Sequence, residues 1–461
     1  MDFDNFKKIS WSLLLILQGA MESLFIHNKD CYVRSFTPAN MSKKKEENNM
    51  ENIIEFPAKE AGANKTIASE VELAQAVGNE NVSTYGYQGV EKGNDKIIPF
   101  PGKKRPKVTY IETCAGLGAT SLALKEVGEQ LGIQFLCVGY SEIDKAAIRA
   151  YKELHGPTLV NLGDVTKVDW SKYPCDLLSF TFPCQNISIA NRKAKGFEEG
   201  KDSSSSIVWS LRDVLSKMKQ KPKFIFMENV ASILNKKHKP TLDKLIAFLQ
   251  SEGYHVDYKK LDAADYGVPQ HRERVYILCT LGFDPCFTYP APIPLETKLC
   301  DVLEKNPSTK FNLTPKAKAG FISRGMRDVK SYPIRVHNPN KCDKAFTIST
   351  RSGSRNYDNF IFEKDVTDDK FIKVSKKGLA KVGVDLKAIE ETNIRKLTPN
   401  ECMLLMGLKK EEREKLKDFT PNEIYKLTGN SIVIPVLISV FNEYFKALKD
   451  NGKLDGMDMA S

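Results

Sequence analysis

Val108-Thr109-Tyr110-Ile111-Glu112-Thr113-Cys114-Ala115-Gly116-Leu117-Gly118-Ala119-Thr120 is the stretch at which this 461-residue chain changes texture. The apolar run Val108–Ile111 predicts a buried strand, Gly116 and Gly118 a turn, and the spacing from Thr120 to about Gln130 a helix. Working outward, the pattern repeats. Gln134 to Tyr140 reads as a second strand, and Asp144 caps a helix running to Leu154. Cys175 to Phe182 is a third clear strand. Ile207, Leu211, Val214, Leu215 and Met218 recur at helical spacing, and Phe224 to Met227 is another strand. Leu242, Leu245, Ile246 and Leu249 mark a further helix, and Val275 to Thr280 closes the series. Strands alternating with amphipathic helices imply an α/β fold: a doubly wound, mostly parallel sheet covered on both faces.

The flanks differ. Trp11 to Leu17, after Lys7 and Lys8, has the form of a signal-peptide core or of a plain extension, and Met41 and Met50 are alternative starts. Residues 41 to about 105 are polar and end in Lys103-Lys104-Arg105-Pro106, a solvated linker or a contact for a polyanion. From about 286 to 395 Pro, Lys, Ser, Gly and Arg dominate, which suggests a smaller, irregular domain. Helical patterns return at Pro399–Met406 and Ile432–Leu448. The expected division is an N-terminal extension (1–105), a main domain (106–288, completed by 425–450) and a small domain (289–424).

Composition narrows the class. The chain is 41% hydrophobic and 28% charged, as expected of a soluble globular protein. No apolar run approaches the roughly 20 residues of a membrane span. The net charge of +11 suits a polyanionic partner. The 10 cysteines form no C-x-x-C pair, so neither a metal site nor a disulfide framework is read, and a reducing cytoplasm is expected.

Candidate functional groups gather at predicted strand ends, where doubly wound sheets place their sites. Gly116-Leu117-Gly118 is either a nucleotide-type cradle or a simple strand-to-helix turn; Ser121 stands where a dinucleotide fingerprint has its third glycine. Glu142 ends the second strand and can accept from a ribose diol. Asp164, in Gly163-Asp164-Val165-Thr166, can take an adenine amino group. Each acid alone is as readily a helix cap or surface charge. Pro183 stops the third strand and presents Cys184 at its end, ahead of a polar stretch, 186–206, with the texture of a loop that closes over a substrate. A free thiol is only about 3% ionised at pH 7, so a nucleophile there needs help. Glu228 ends the strand Phe224–Met227, and Arg272 and Arg274 share a face at the entry to Val275–Thr280.

With these parts in place, the sequence resembles the cytosine-C5 DNA methyltransferase family. The matching stretches, in order, are Cys114–Gly118, Ser141–Asp144, Gly163–Val165, Phe182–Ser188, Glu228–Val230, Tyr266–Tyr276, Arg395–Glu401 and Gly429–Val433. The resemblance implies a Rossmann-like methyltransferase fold and methyl transfer from S-adenosylmethionine, leaving S-adenosylhomocysteine. The methyl goes to C5 of a cytosine flipped out of double-stranded DNA, at a specific sequence. It implies Cys184 as nucleophile at C6, Glu228 as acid at N3, and Arg274 with Arg272 beside it on the base. It also implies a cofactor site at Cys114, Ala115, Gly116, Leu117, Gly118, Glu142, Ile143, Asp164, Val165, Pro183, Asn430 and Ser431. Gln185, Ser188, Asn229, Gln270, Arg351 and Arg355 are the expected substrate contacts. The small domain, with Arg324, Arg327, Arg335, Arg351 and Arg355, is the expected target reader, and Ala345-Phe346-Thr347-Ile348 resembles the Thr-Leu element that ends the family's variable region.

The chain departs from the family at Cys114 (usually Phe), Ile143 (often a bulky aromatic), Asn191 (commonly Gly) and Ser203–Ser206, where Arg-Gly is usual. A monomer is expected, with a cognate restriction endonuclease as an open partner. Two alternatives stay open: a non-catalytic DNA-binding regulator, and an RNA cytosine-C5 methyltransferase, although the Cys-Phe-Thr tripeptide of that branch is absent at Cys279-Thr280-Leu281.

Overall fold

The computed structural model describes residues 105–455 apart from 190, 192, 327–333, 354–358, 367 and 375–385. The expectations for residues 1–104, for Arg327 and Arg355, and for the side chain of Arg324 lie outside the described residues.

The repeating strand–helix pattern produces a six-stranded sheet: β1 (Lys107–Thr113), β2 (Gln134–Ser141), β3 (Leu177–Phe180), β4 (Phe224–Val230), β5 (Tyr254–Asp262) and β6 (Glu273–Leu281), in the order β2-β1-β3-β4-β6-β5. The connecting helices are α1 (Ala119–Leu131), α2 (Lys145–His155), α3 (Leu211–Lys217) and α4 (Lys239–Ser251). They cover both faces. One core unites Leu122, Leu124 and Val127 of α1 with Phe224, Phe226 and the C-terminal helix; the other joins Leu211 and Val214 of α3, and Leu242 and Leu245 of α4, to Ile225 and Ile277. Asp144 caps α2 as its sequence position predicts, accepting from Ala147 N.

Strands β1 to β4 are parallel, whereas β6 is antiparallel to both of its neighbours, β4 and β5. The chain crosses from β4 over α4 to β5, leaves a gap, and turns back to fill it with β6. This reversal decides the site. A parallel β6 would begin at the far edge of the sheet, but an antiparallel one begins beside the carboxyl end of β4. The register sets Arg274 opposite Val230 and Tyr276 opposite Glu228.

The region expected to be irregular contains a second sheet of short strands: β7 (Ile334–His337), β8 (Phe360–Phe362), β9 (Phe371–Val374) and β10 (Ile394–Lys396), ordered β10-β8-β7-β9. Ile334, Val336, Phe360, Phe362, Ile372 and Ile394 form its core. Beyond β10, Thr398 caps α5 (Pro399–Leu404) in a reciprocal box with Glu401. Glu401, fully buried, also takes both guanidinium nitrogens of Arg395 at 2.8 and 2.9 Å. Helix α6 (Pro421–Asn430) docks on α2 through the ion pairs Arg149–Glu423 and Lys426–Asp144. Helix α7 (Ile434–Asp450) returns to the first sheet and seats Phe441, Tyr444 and Phe445 against Phe224 and Phe226. The stretch Pro421–Asp450 has the length and apolarity of a membrane span, but its apolar window is 67% buried in this core.

Candidate active site

β1 ends in a turn of left-handed residues: Cys114 (φ 49°), Gly116 (φ 59°) and Gly118 (φ 84°). A Cβ at Gly118 would meet His155 Nε2 at 2.1 Å, so close packing against α2 demands glycine. A Cβ at Gly116 would meet nothing within 4 Å, and the same holds at Gly163 (φ 75°). Both turns therefore open on free space. The Glu142 carboxylate braces the first, taking Gly116 N at 2.9 Å and the amides of Ile143 and Asp144 at 2.8 Å. Ile143 is 73% exposed beside it. Asp164 takes the Thr166 amide and hydroxyl and pairs with Lys167. The structure brings Cys114, Glu142 and Asp164 together: burial pushes the Cys114 thiol up to about 12, and both carboxylates add to the rise.

Two supports of this end carry no sequence signal. Asn161 accepts from Glu142 N (3.1 Å) and Gly163 N (3.0 Å) and donates to Glu142 O (3.0 Å), locking the two acidic loops together. Glu112, buried within β1, accepts from Thr120 N (3.1 Å) and Ser121 Oγ (2.7 Å) and so fixes the first turn of α1. Burial outweighs those donors and lifts its carboxyl to about 7. Ala115, Leu117 and Val165 are buried. Pro183 is half-buried, Asn430 is exposed, and Ser431 is buried.

Cys184 follows β3 and Pro183 in a half-buried position. Its carbonyl accepts from Ile187 N (3.0 Å) and Ser188 N (2.9 Å), closing a turn. Glu228 and Arg274 pair across β4 and β6, with Arg274 Nε 3.0 Å from Glu228 Oε1 and each side chain only 11% exposed. The contact is ionic without hydrogen-bond alignment, which leaves that buried oxygen with no hydrogen-bond donor. Burial raises the pKa of both Cys184 and Glu228; the charges of Arg274 and Arg272 pull both back down. The four side chains are thus electrostatic neighbours at one sheet edge.

Three of the expected residues bond within the protein. Arg272 is 2% exposed and spends its guanidinium on backbone carbonyls: Nη1 on Ile348 (2.8 Å), Nη2 on Gly429 (3.0 Å) and Ser431 (2.5 Å). It positions β6, the 348 segment and the approach to α7, and it acts on the site through its charge. Gln270 is fully buried; Nε2 donates to Leu405 O (2.7 Å) and Oε1 accepts from Ile348 N (3.0 Å). Asn229 is also buried and donates to Phe182 O (3.0 Å), clamping the strand just before Cys184. Of the other expected substrate contacts, Gln185 and Arg351 are exposed and Ser188 is half-buried. Arg335 lies over the Phe346 ring at 4.5 Å.

The doubly wound sheet, with open glycine turns and a cysteine–glutamate–arginine group along the same carboxyl edge, defines an α/β methyltransferase-type fold. Its backbone is similar to the Entamoeba histolytica methyltransferase EhMeth (TM-score 0.59, 16% identity, 74% of this chain and 99% of that one). It is also similar to the S. pombe Dnmt2 methyltransferase (TM-score 0.56, 17% identity, 74% and 99%). The family described as C-5 cytosine-specific DNA methylase matches residues 108–446, and the chain belongs to it. Among its relatives, Type II methyltransferase M.NlaX of Neisseria lactamica is 30% identical over 73% of this chain and 96% of its own length. M.HhaI of Haemophilus parahaemolyticus is 30% identical over 74% and 95%. M2.ScrFI of Lactococcus lactis subsp. cremoris is 32% identical over 62% and 71%. The protein is a DNA cytosine-C5 methyltransferase, with a methyl donor of the S-adenosylmethionine type implied by its family.

Proposed function

We propose that Cys184 is the nucleophile of methylation at C5 of a cytosine extruded from double-stranded DNA, with Glu228 as the acid and Arg274 as the group that holds both acid and base. The observation that supports this is the convergence of these three side chains at one sheet edge through the reversed strand β6. The Cys184 thiolate adds to C6, forming an S–C bond, while Glu228 gives N3 a proton; C5 becomes enamine-like. S-adenosylmethionine supplies the electrophilic methyl group. Loss of the C5 proton then breaks the S–C bond, and N3 returns its proton to Glu228. Arg274 keeps Glu228 in place through Nε, donates from Nη1 to Glu273 O (2.8 Å), and offers Nη2 to the base carbonyl.

The donor fits the neighbouring turns on the same edge. The space over Gly116 and Gly163, the paired acids Glu142 and Asp164, and the exposed apolar Ile143 suit an adenosine carrying a cationic tail. Residues 289–424, with exposed Arg351, are assigned to target reading, and Gln185 and Ser188 to the strand beside the extruded base. In this reading the enzyme is a cytoplasmic monomer, with a restriction endonuclease as partner, as the Type II names of its relatives suggest.

Purified protein, labelled S-adenosylmethionine and DNA of mixed sequence should yield 5-methylcytosine, and bisulfite sequencing should show one recurring site. Cys184→Ala should abolish turnover. Turnover retained by that variant would overturn the assignment of the nucleophile.

A further inference from the structure

The polar stretch after Cys184 folds back on its own beginning. Ser203 Oγ donates to Gly196 O (2.6 Å), Ser206 Oγ to Glu198 O (2.9 Å), and Asn191 Nδ2 to Gln185 O (2.9 Å). Within this fold Ser205 stands apart. It is fully buried, its hydroxyl donates to Pro183 O at 2.6 Å, and it accepts from Asn186 N at 3.1 Å. One hydroxyl thus joins the two backbone groups that flank Cys184-Gln185. The neighbouring carbonyls are held by other elements: Phe182 O by Asn229 and Ile187 O by Ser232 Oγ (2.8 Å). Ser205 reaches the turn from the far end of the loop and fixes its remaining two sides. The serine run that departs from the family's Arg-Gly therefore has a structural task at the nucleophile.

We infer that Ser205 is a positioning residue for the reaction, setting the aim of the Cys184 sulfur by bridging Pro183 and Asn186. The inference rests on Cys184 being the nucleophile. Without the bridge the turn keeps its sequence but loses the two bonds that fix its peptide planes. A nucleophile displaced by about 1 Å can lose about 100-fold in rate. Positioning acts on the addition step, whatever the protonation state of the sulfur, so the loss should be uniform across pH.

The test uses the full chain and duplex DNA in which 5-fluorocytosine replaces cytosine in one strand, with S-adenosylmethionine present. Once C5 carries both fluorine and methyl it has no proton to lose, so the S–C6 bond persists and the protein–DNA adduct can be counted on a denaturing gel. Ser205→Ala should form adduct about 10- to 100-fold more slowly, with unchanged affinity for DNA and for S-adenosylmethionine and an unchanged midpoint in the pH dependence of the rate. Ser206→Ala removes a hydroxyl from the same loop that does not touch the turn, and it should react at the normal rate. A normal rate in Ser205→Ala, or equal slowing in Ser206→Ala, would overturn the inference. Adduct formed by Cys184→Ala, run alongside, would instead overturn the nucleophile assignment on which it rests.

Discussion

Burial acts on Cys184 and Glu228 in the same chemical direction and in opposite functional ones. It holds a proton on each, which suits the acid and hinders the thiol, and Arg274 pulls both values back. The productive form, thiolate with protonated acid, has the same charge as its tautomer, thiol with carboxylate. The rate should therefore rise as the pair loses its first proton, above the usual carboxylate range. It should fall as the second proton leaves, above the usual thiol range. Glu228→Gln donates to the base permanently but cannot transfer a proton. We expect about 100- to 10,000-fold lower kcat and a kcat/KM that climbs with pH through thiol ionisation without the alkaline fall. A variant that keeps both limbs would assign the alkaline fall to another group. Glu112 gives a second titration, read in stability. Its folded value, about 7, lies above that of an unfolded carboxyl. Its contribution is complete below the unfolded pKa and is lost as pH rises through about 7. Across that window the urea midpoint of the native protein should fall relative to Glu112→Gln, whose own curve lacks this step; parallel curves would refute the shift.

At the scale of elements, the sequence shows where strands lie better than how they run. Val275–Thr280 is legible as a strand, but period-two alternation is identical in either direction. The reversal of β6, on which the site depends, follows from the chain filling a gap and not from local pattern. β5 went unread because Asp257, Lys259 and Lys260 break up its apolar signal at the sheet edge. The strands of the second sheet are 3 or 4 residues long, too short for periodicity to register. The motif around Gln270 was legible as part of a site, but its role was not. Residue type shows that an amide can bond, and only the fold shows that its partners are Leu405 and Ile348. Removing it tests that role. Gln270→Ala leaves a buried carbonyl and a buried amide unpaired, at about 1–3 kcal/mol each. We expect the urea midpoint to fall accordingly and kcat to fall with it, because Ile348 also anchors Arg272. Unchanged stability with weakened DNA binding would return Gln270 to the substrate contacts.

Over the whole molecule, the ordered motif set made fold and chemistry legible together, because five of its motifs, Cys114–Gly118, Ser141–Asp144, Phe182–Ser188, Glu228–Val230 and Tyr266–Tyr276, sit at strand ends that the topology brings to one edge. Target reading was not legible, since the arginines of the second region differ in what surrounds them and not in type. Arg335 lies against Phe346, while Arg351 is exposed in the turn that follows Ile348, the residue whose carbonyl holds Arg272. Arg351 is therefore tied through one joint to the catalytic strand while its head group stays in solvent. The net charge of +11 supplies a field for DNA, and each phosphate neutralised releases counterions. The logarithm of the affinity should fall linearly with that of salt concentration, by about 0.9 per phosphate contact. An exposed arginine in a flat turn is suited to the DNA backbone, which positions without specifying. Arg351→Gln should thus weaken binding to every duplex alike and reduce the salt slope by about one. Titrating labelled duplexes over a range of salt measures both quantities. An unchanged slope with relaxed preference at one base pair would show instead that Arg351 reads a base edge.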